Sequence, residues 1–176
     1  IESEVFLPPR RRGTTRPAFA VQPAGRPFRF AYCGQLWNSY WQALRVLAEV
    51  GQKHGWQLDI YTNEHGRRVA GRDHVNVRVH DFLPEDRLVP HLAEEADALV
   101  VALDFSDAGG PTMETMFSSK MAEYTATGLP VVIMAPPYAN MARWGKTQGC
   151  FVVIDRLDRD HIDRELSALA GDPERC

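Results

Sequence analysis

Short, almost wholly apolar runs alternate with helical patterns from residue 28 onward, and this alternation restricts the possible folds more than any other feature of the chain. Residues 98–103 and 130–135 have no polar face, which is typical of parallel strands buried on both sides. Between such runs, apolar residues recur at helical spacing. Regular alternation of this kind predicts an α/β fold, a doubly wound and mostly parallel sheet of six strands with helices on both faces.

The individual elements follow from the same pattern. Predicted strands cover residues 28–34, 57–62, 75–80, 98–103, 130–135 and 150–154. Predicted helices cover residues 39–55, 85–95, 139–148 and 159–170, with a further short helix ahead of Gly128. If the strands follow the order 3-2-1-4-5-6 with right-handed crossovers, the loops after the first and fourth strands flank the crevice in which ligands bind.

Composition and charge exclude several classes of protein. The chain has 176 residues, of which 44% are apolar and 24% charged, with a net charge of -3. One globular domain is therefore expected, and no basic excess points to nucleic acid. Cys33, Cys150 and Cys176 show no metal-ligand spacing, so we expect neither a disulfide framework nor a zinc site. No apolar run reaches the length of about 20 residues that crosses a bilayer.

The start of the sequence has the composition of a linker. Residues 1–27 combine repeated prolines with arginines and show no strand or helix period. We predict a Pro/Arg-rich linker or interdomain segment there and a folded domain over residues 28–176. The run from Arg10 to Arg12 is either solvated or in contact with an anionic membrane or substrate. Because the first residue is Ile1, we expect a piece of a longer protein. The cysteine pattern fits a reducing cytoplasm, where the protein would lie free or peripheral to the inner face of a membrane.

Two loops carry the residues with the clearest chemistry. After the first predicted strand, Gly34 and Gln35 begin a loop in which glycine allows backbone to approach a ligand closely. The loop after the fourth strand runs from residue 104 to 119, longer than the usual connection. Ser118 or Ser119 suits the N-cap of the next helix, whose free backbone amides would bind phosphate. Lys120 in the first turn adds a positive charge, and Glu123 lies three residues further along the same helix.

Other interpretations of these residues remain open. Lys120 and Glu123 are also spaced as a surface ion pair. The apolar stripe beside them is interpreted as core, and it consists of Met113, Phe117, Met121 and Tyr124. Three aromatic residues between the first strand and the first turn of the following helix are also expected to be buried, although they could stack on a base or sugar; they are Trp37, Tyr40 and Trp41.

Several well-known motifs are missing from the sequence. It contains no GxGxxG, no P-loop and no G-x-S-x-G, which argues against dehydrogenases, P-loop ATPases and common hydrolases. The histidines are scattered and show neither HxxxH nor histidine-carboxylate spacing. We therefore expect no metal site.

The segment SSKMAEYTATGLPVVI resembles the Lys-x-x-Glu-Tyr-x-Ala-x-Gly-x-Pro-Val signature of retaining GT-B glycosyltransferases of the group 1 or family 4 type, in their carboxyl-terminal half. The segments HVNVRVHDFLPEDRLVPHLAEEADALVVAL and GCFVVIDRLD are similar to that family's strand-helix-strand unit and ending. The resemblance covers about residues 28–175. It implies a Rossmann-like domain that is one half of a GT-B architecture and that binds a nucleotide-sugar donor.

The resemblance also implies roles for individual residues. Glu123 would bind the donor ribose, and Lys120 with the helix-start amides near Ser118 and Ser119 would bind the diphosphate. Gly34 and Gln35 would line the phosphate side of the cleft. The backbone near the nucleobase would be that of Asp81, Phe82 and Leu83.

One position departs from the family pattern. Many members carry a glutamate eight positions before the helix glutamate, near the transferred sugar, where this chain has Thr115 and places Glu114 one residue away.

The implied activity is transfer of a sugar from a nucleotide-diphosphate sugar to an acceptor with retention. It would need no cofactor and no essential metal. The acceptor, a glycan or a membrane molecule, would be bound by an amino-terminal domain that lies outside this sequence, and the isolated fragment would transfer poorly. Two alternatives stay open: a noncatalytic module with a decayed donor site, and a sugar-nucleotide epimerase of similar architecture.

Overall fold

Six parallel strands form a single sheet in the computed structural model, which describes residues 25–71, 73–106 and 110–172. The sheet order is β3-β2-β1-β4-β5-β6. The strands are β1 (Arg29–Cys33), β2 (Gln57–Tyr61), β3 (Val77–His80), β4 (Ala98–Ala102), β5 (Val131–Met134) and β6 (Val152–Ile154). The predicted doubly wound α/β class is confirmed, and the observed strand order is the one assumed above for locating the crevice. Every neighbouring pair of strands is parallel.

Helices follow each strand. They are α1 (Asn38–His54), α2 (Glu64–Ala70), α3 (Glu85–Glu95), α4 (Gly110–Thr115), α5 (Lys120–Thr127), α6 (Asn140–Gln148) and α7 (Arg159–Gly171). In the described ranges, no helix combines the length and the apolar character needed to cross a membrane.

The core lies in two layers, one on each face of the sheet. In β4, Val100 packs into the layer beneath α1 and α7, whereas Leu99 and Val101 pack into the opposite layer beneath α3, α5 and α6. Because successive strand residues point to opposite faces, a strand covered on both sides must be apolar throughout. This explains why β4 shows no alternation in sequence.

Two short helices were not predicted. α2 has seven residues and α4 has six, too few for a helical period to stand out. The N-cap of α2 did carry a local signal, since the side chain of Asn63 accepts a hydrogen bond from the amide of Gly66 at 2.9 Å. α4 lies within the stretch predicted as loop, of which residues 107–109 fall outside the described part.

The third strand begins later than predicted. Val75 and Asn76 form a turn, and β3 starts at Val77. The Val75 side chain is exposed, so its apolar character extended the predicted strand without contributing to the core.

The chain just before β1 is anchored at the amino-terminal end of the central strands. Arg26 forms an ion pair with Asp97 at 2.6 Å and donates to the carbonyl of Glu95 at 3.0 Å. The rest of the predicted linker, residues 1–24, lies outside the described residues, as does Cys176.

The signature segment folds as a helix followed at once by a strand. Gly128 ends α5 with φ of 74°, a left-handed conformation that glycine adopts without steric cost. Pro130 then leads into β5, since proline cannot continue the helix.

Candidate functional site

A cavity of about 270 Å³ opens at the carboxyl ends of β1 and β4. These strands are neighbours at the point where the strand order reverses, which is where doubly wound sheets bind ligands. The residues lining it are Tyr32, Cys33, Gly34, Gln35, Tyr40, Val100, Val101, Ala102, Leu103, Met116, Phe117, Ser118, Ser119, Lys120 and Tyr124.

The loop after β1 forms one wall of the cavity. Gly34 has φ of 155°, a conformation that other residues rarely adopt. Its amide donates to the carbonyl of Tyr61 at 3.0 Å. The hydroxyl of Tyr32 donates to the carbonyl of Gln35 at 2.9 Å. Both bonds hold the backbone of the loop in one conformation.

A second tyrosine links this loop to α5. The amide of Cys33 donates to the hydroxyl oxygen of Tyr124 at 2.8 Å, and that hydroxyl donates to the carbonyl of Cys33 at 3.3 Å. Tyr124 is fully buried, and burial raises its pKa well above the usual range. The hydroxyl therefore keeps its proton and serves as donor and acceptor together.

The start of α5 forms the facing wall. Ser119 occupies the N-cap, as predicted, but its side chain makes no capping bond. Within the described residues, the backbone amides of Ser119 and Lys120 have no hydrogen-bond acceptor. Unpaired amides at a helix start favour an anion, and the helix dipole adds to this preference.

Lys120 and Glu123 form an ion pair, with Nζ and Oε2 2.9 Å apart. Each side chain is about a third exposed, so the pair contributes little to stability. Lys120 also lines the cavity, whereas Glu123 does not. Among the lining residues of the described chain, Lys120 is the only charged one.

The Cys33 thiol faces the same cavity. Burial is the main reason that its pKa rises to about 11; the charge of Glu123 raises it further and that of Lys120 lowers it. The thiol is therefore neutral near pH 7, and a thiolate is disfavoured beside the cavity.

Some predicted site residues lie outside the cavity. Thr115 ends α4 with an exposed side chain whose hydroxyl donates to the carbonyl of Thr112 at 3.4 Å. Asp81, Phe82 and Leu83 follow β3, which is separated from β1 by β2. Asp81 forms an ion pair with Arg67. The roles assigned to these residues stay predictions.

Sequence reasoning placed two aromatic residues wrongly. Phe117 was expected in the core, but it is 47% exposed, lines the cavity and packs edge-on against Trp144 with ring centroids 4.9 Å apart. The other predicted core residues of that stripe are buried: Met113, Met121 and Tyr124. Trp37 is also exposed, and it packs against His65.

The missed lining residues carried only weak local signals. Tyr32, Cys33 and Met116 belong to no motif. Tyr32 and Cys33 reach the cavity from the end of β1, and Met116 reaches it from the segment between α4 and α5. Tyr40 and Trp41 are half-buried against the core, and Tyr40 also lines the cavity.

Histidines pair with carboxylates that are distant in sequence. Nε2 of His80 lies 2.7 Å from Asp59, and Nε2 of His54 lies 2.7 Å from Asp163. Spacing along the chain could not reveal such pairs, because they join different elements. Neither pair lines the cavity. Over the described ranges, no group of three or more His, Cys, Asp or Glu side chains is arranged to hold a metal ion.

Comparison with known proteins gives matches at the level of structure. No family model matches the sequence, and no curated protein matches it. The glycotransferase of kitacinnamycin matches with a TM-score of 0.56 and 24% identity, over 88% of this chain and 38% of its own. A UDP-forming α,α-trehalose-phosphate synthase from Burkholderia xenovorans matches with a TM-score of 0.53 and 12% identity, over 84% of this chain and 37% of its own.

A third solved structure concerns trehalose-6-phosphate synthase and glycosyl transfer with retention; it matches with a TM-score of 0.51 and 15% identity, over 89% of this chain and 42% of its own. The chain thus spans about two fifths of the length of these proteins. At such identities the similarity establishes the fold. The described residues form a Rossmann-like α/β domain of the kind found in GT-B glycosyltransferases.

Proposed function

We propose that this chain is the donor-binding domain of a glycosyltransferase that transfers a sugar from a nucleotide-diphosphate sugar with retention. One observation carries the proposal: among the described residues, the cavity at the reversal point of the sheet joins a glycine loop, helix-start amides without an acceptor and a single cation, Lys120. This combination suits an anionic, phosphate-containing ligand.

The ligand groups are assigned by their chemistry. The diphosphate would lie against the amides of Ser119 and Lys120 and the ammonium group of Lys120. Its arrival would draw Lys120 away from Glu123, leaving the carboxylate to accept hydrogen bonds from ribose hydroxyls. Gly34 and Gln35 would cover the phosphates from the β1 side, and the base would extend towards residues 81–83.

Catalysis in this proposal rests on the leaving diphosphate. The fixed amides and Lys120 would stabilise the negative charge that develops as the bond to the sugar breaks. No essential metal is required for that step. A further domain would hold the acceptor against the sugar, and its positioning would supply the rest of the rate enhancement.

A second candidate is a noncatalytic module whose donor site has decayed. Two observations favour it: Lys120 is already paired with Glu123, and Thr115 is exposed outside the cavity where many glycosyltransferases of the resembled family have a glutamate.

Calorimetric titration separates the two candidates. UDP, GDP and ADP sugars are titrated into the chain and into Lys120→Ala, Glu123→Ala and Lys146→Ala. Lys146 pairs with Asp155 on the surface and serves as the matched control. We expect one nucleotide to bind and its Kd to rise about tenfold to a hundredfold in the first two variants, since each loses a charge-assisted hydrogen bond. The control should bind as the wild type does.

The opposite result is equally informative. If no nucleotide binds at millimolar concentration, or if the Lys120 and Glu123 variants bind as tightly as the control, the noncatalytic module is the better account.

A further inference from the structure

Tyrosine hydroxyls form hydrogen bonds with the backbone on both sides of Gly34. Before the glycine, the hydroxyl of Tyr124 bonds to both the amide and the carbonyl of Cys33, at 2.8 and 3.3 Å. After it, the hydroxyl of Tyr32 bonds to the carbonyl of Gln35 at 2.9 Å. Both tyrosines are buried and both line the cavity.

The Tyr124 bonds join the two walls of the cavity. Tyr124 lies on α5, one turn after Lys120, and its partner Cys33 lies at the end of β1, 91 positions earlier in the chain. The glycine loop and the helix that carries Lys120 and Glu123 are therefore held at a set distance by one side chain. Apolar packing alone would leave this register less sharply defined, because it is not directional.

Packing does not account for these hydroxyls. A phenylalanine would fill nearly the same volume at either position, and a buried polar group must recover its lost hydration through hydrogen bonds. At Tyr124 the hydroxyl also satisfies the buried amide of Cys33. What the hydroxyls add to a phenylalanine core is a fixed backbone conformation at Cys33, Gly34 and Gln35.

We propose that Tyr32 and Tyr124 are positioning residues of the donor site, which preorganise the glycine loop against the start of α5. This inference rests on the proposed function, because the loop matters for binding only if a phosphate-bearing ligand occupies the cavity. Preorganisation strengthens binding by removing the entropy cost of ordering the loop when the ligand arrives. The tyrosines act through the backbone and need not touch the reacting atoms.

The test compares Tyr124→Phe and Tyr32→Phe with Tyr138→Phe in the 176-residue chain. Tyr138 is the matched control, since its hydroxyl donates to the carbonyl of Ser106 at 3.4 Å and it does not line the cavity. Two quantities are measured: backbone amide hydrogen exchange without ligand, and the affinity for UDP, GDP and ADP. Global unfolding is followed in parallel by urea titration.

We expect amide exchange in both cavity variants to become faster at residues 33–35 by about tenfold, with little change in the centres of β2 and β5. The Kd of the nucleotide that binds should rise by about tenfold in Tyr124→Phe and severalfold in Tyr32→Phe. Tyr138→Phe should match the wild type in both measurements. If Tyr124→Phe does not fold, Tyr32→Phe alone must show both effects.

Unchanged affinity in the cavity variants would overturn the inference, and so would exchange that accelerates evenly across the whole sheet, which indicates only a loss of stability. A result that contradicts the proposed function can be told apart from these outcomes, because the wild-type chain would then bind no nucleotide. In that case faster exchange confined to residues 33–35 would show that the tyrosines hold the loop but serve no donor. Unchanged exchange would remove the positioning role as well.

Discussion

Cys33 illustrates how a single residue acquires its properties from its neighbours. In sequence it is an unpaired cysteine at the end of an apolar run. In the fold its thiol is buried beside the cavity, and its pKa rises to about 11 because burial disfavours the thiolate. The pKa of Tyr61, on the neighbouring strand, rises to about 12 for the same main reason.

These pKa values predict a loss of stability at alkaline pH. The Cys33 thiol ionises near pH 9 when exposed and near pH 11 when folded. Between these values the unfolded state loses its proton first, so the free energy of unfolding falls as the pH rises. At pH 10.5 we expect Cys33 to account for a loss of about 2 kcal/mol relative to pH 8. Urea unfolding at both pH values measures it.

Two variants isolate the contribution of this thiol. Cys33→Ala should lose about 2 kcal/mol less than the wild type over the same pH interval. Cys150→Ala, at an exposed cysteine, should lose as much as the wild type. Equal losses in all three proteins would contradict the assignment of the alkaline loss to Cys33.

Residue roles in the site were only partly predictable. The sequence placed Lys120, Ser118 and Ser119 at a helix start near Gly34 and Gln35, and the structure brings these residues together around the cavity. The ion pair of Lys120 with Glu123 was also foreseen as an alternative. The contribution of Tyr32 and Tyr124 was not, because their hydroxyl bonds depend on where a strand and a helix meet.

At the level of elements, α6 approaches the sheet unusually closely. A Cβ atom on Gly145 would lie 2.7 Å from Cδ1 of Ile133 and 3.0 Å from Cγ2 of Val153. A side chain at this position would require the end of Ile133, and to a smaller extent Val153, to move unless the helix shifts. The helix thus packs against β5 and β6 through a position that carries no side chain.

Gly145→Ala should therefore destabilise the fold by about 1 to 3 kcal/mol, because the added methyl group forces the helix or both side chains to move. Gly171→Ala is the matched control at the end of α7, where a Cβ would have no atom of the described residues within 4 Å. It should be neutral or stabilising by up to about 1 kcal/mol, since alanine favours the helix. Urea unfolding of both variants measures the difference, and equal stabilities would show that α6 can shift freely.

Element boundaries were predictable where the hydrophobic pattern repeats over many residues. α1 spans 17 residues and was predicted nearly in full, as was every strand buried on both faces. The short helices α2 and α4 were missed because one or two turns hold too few apolar positions to define a face.

At the level of the whole molecule, exposed aromatic side chains gather at the carboxyl edge of the sheet. Trp37 follows β1, Phe82 follows β3 and Phe117 lies after β4 at this edge, and each is nearly half exposed. The cavity opens at the same edge. Since the chain spans about two fifths of the length of its structural neighbours, this is where we propose that an acceptor-binding domain completes the cleft.

If this chain is the donor-binding domain of a longer glycosyltransferase, sugar transfer by the complete enzyme should not depend on a divalent metal. The diphosphate charge would be met by Lys120 and backbone amides, so a chelator removes nothing that the step needs. Adding EDTA should leave the initial rate of sugar transfer unchanged, measured as nucleotide release with donor and acceptor present. A rate that falls with EDTA and returns with added Mg²⁺ would contradict the metal-free mechanism.

The sequence by itself determined the fold class and, once the strand order was assumed, the edge of the sheet where the cavity lies. Those features follow from hydrophobic period, turn residues and connection rules, which act locally along the chain. Only the tertiary structure decided which residues line the cavity, that Thr115 and residues 81–83 stay outside it, and that Tyr124 bonds to Cys33. Such features depend on distances between elements far apart in sequence, and no local pattern encodes those distances.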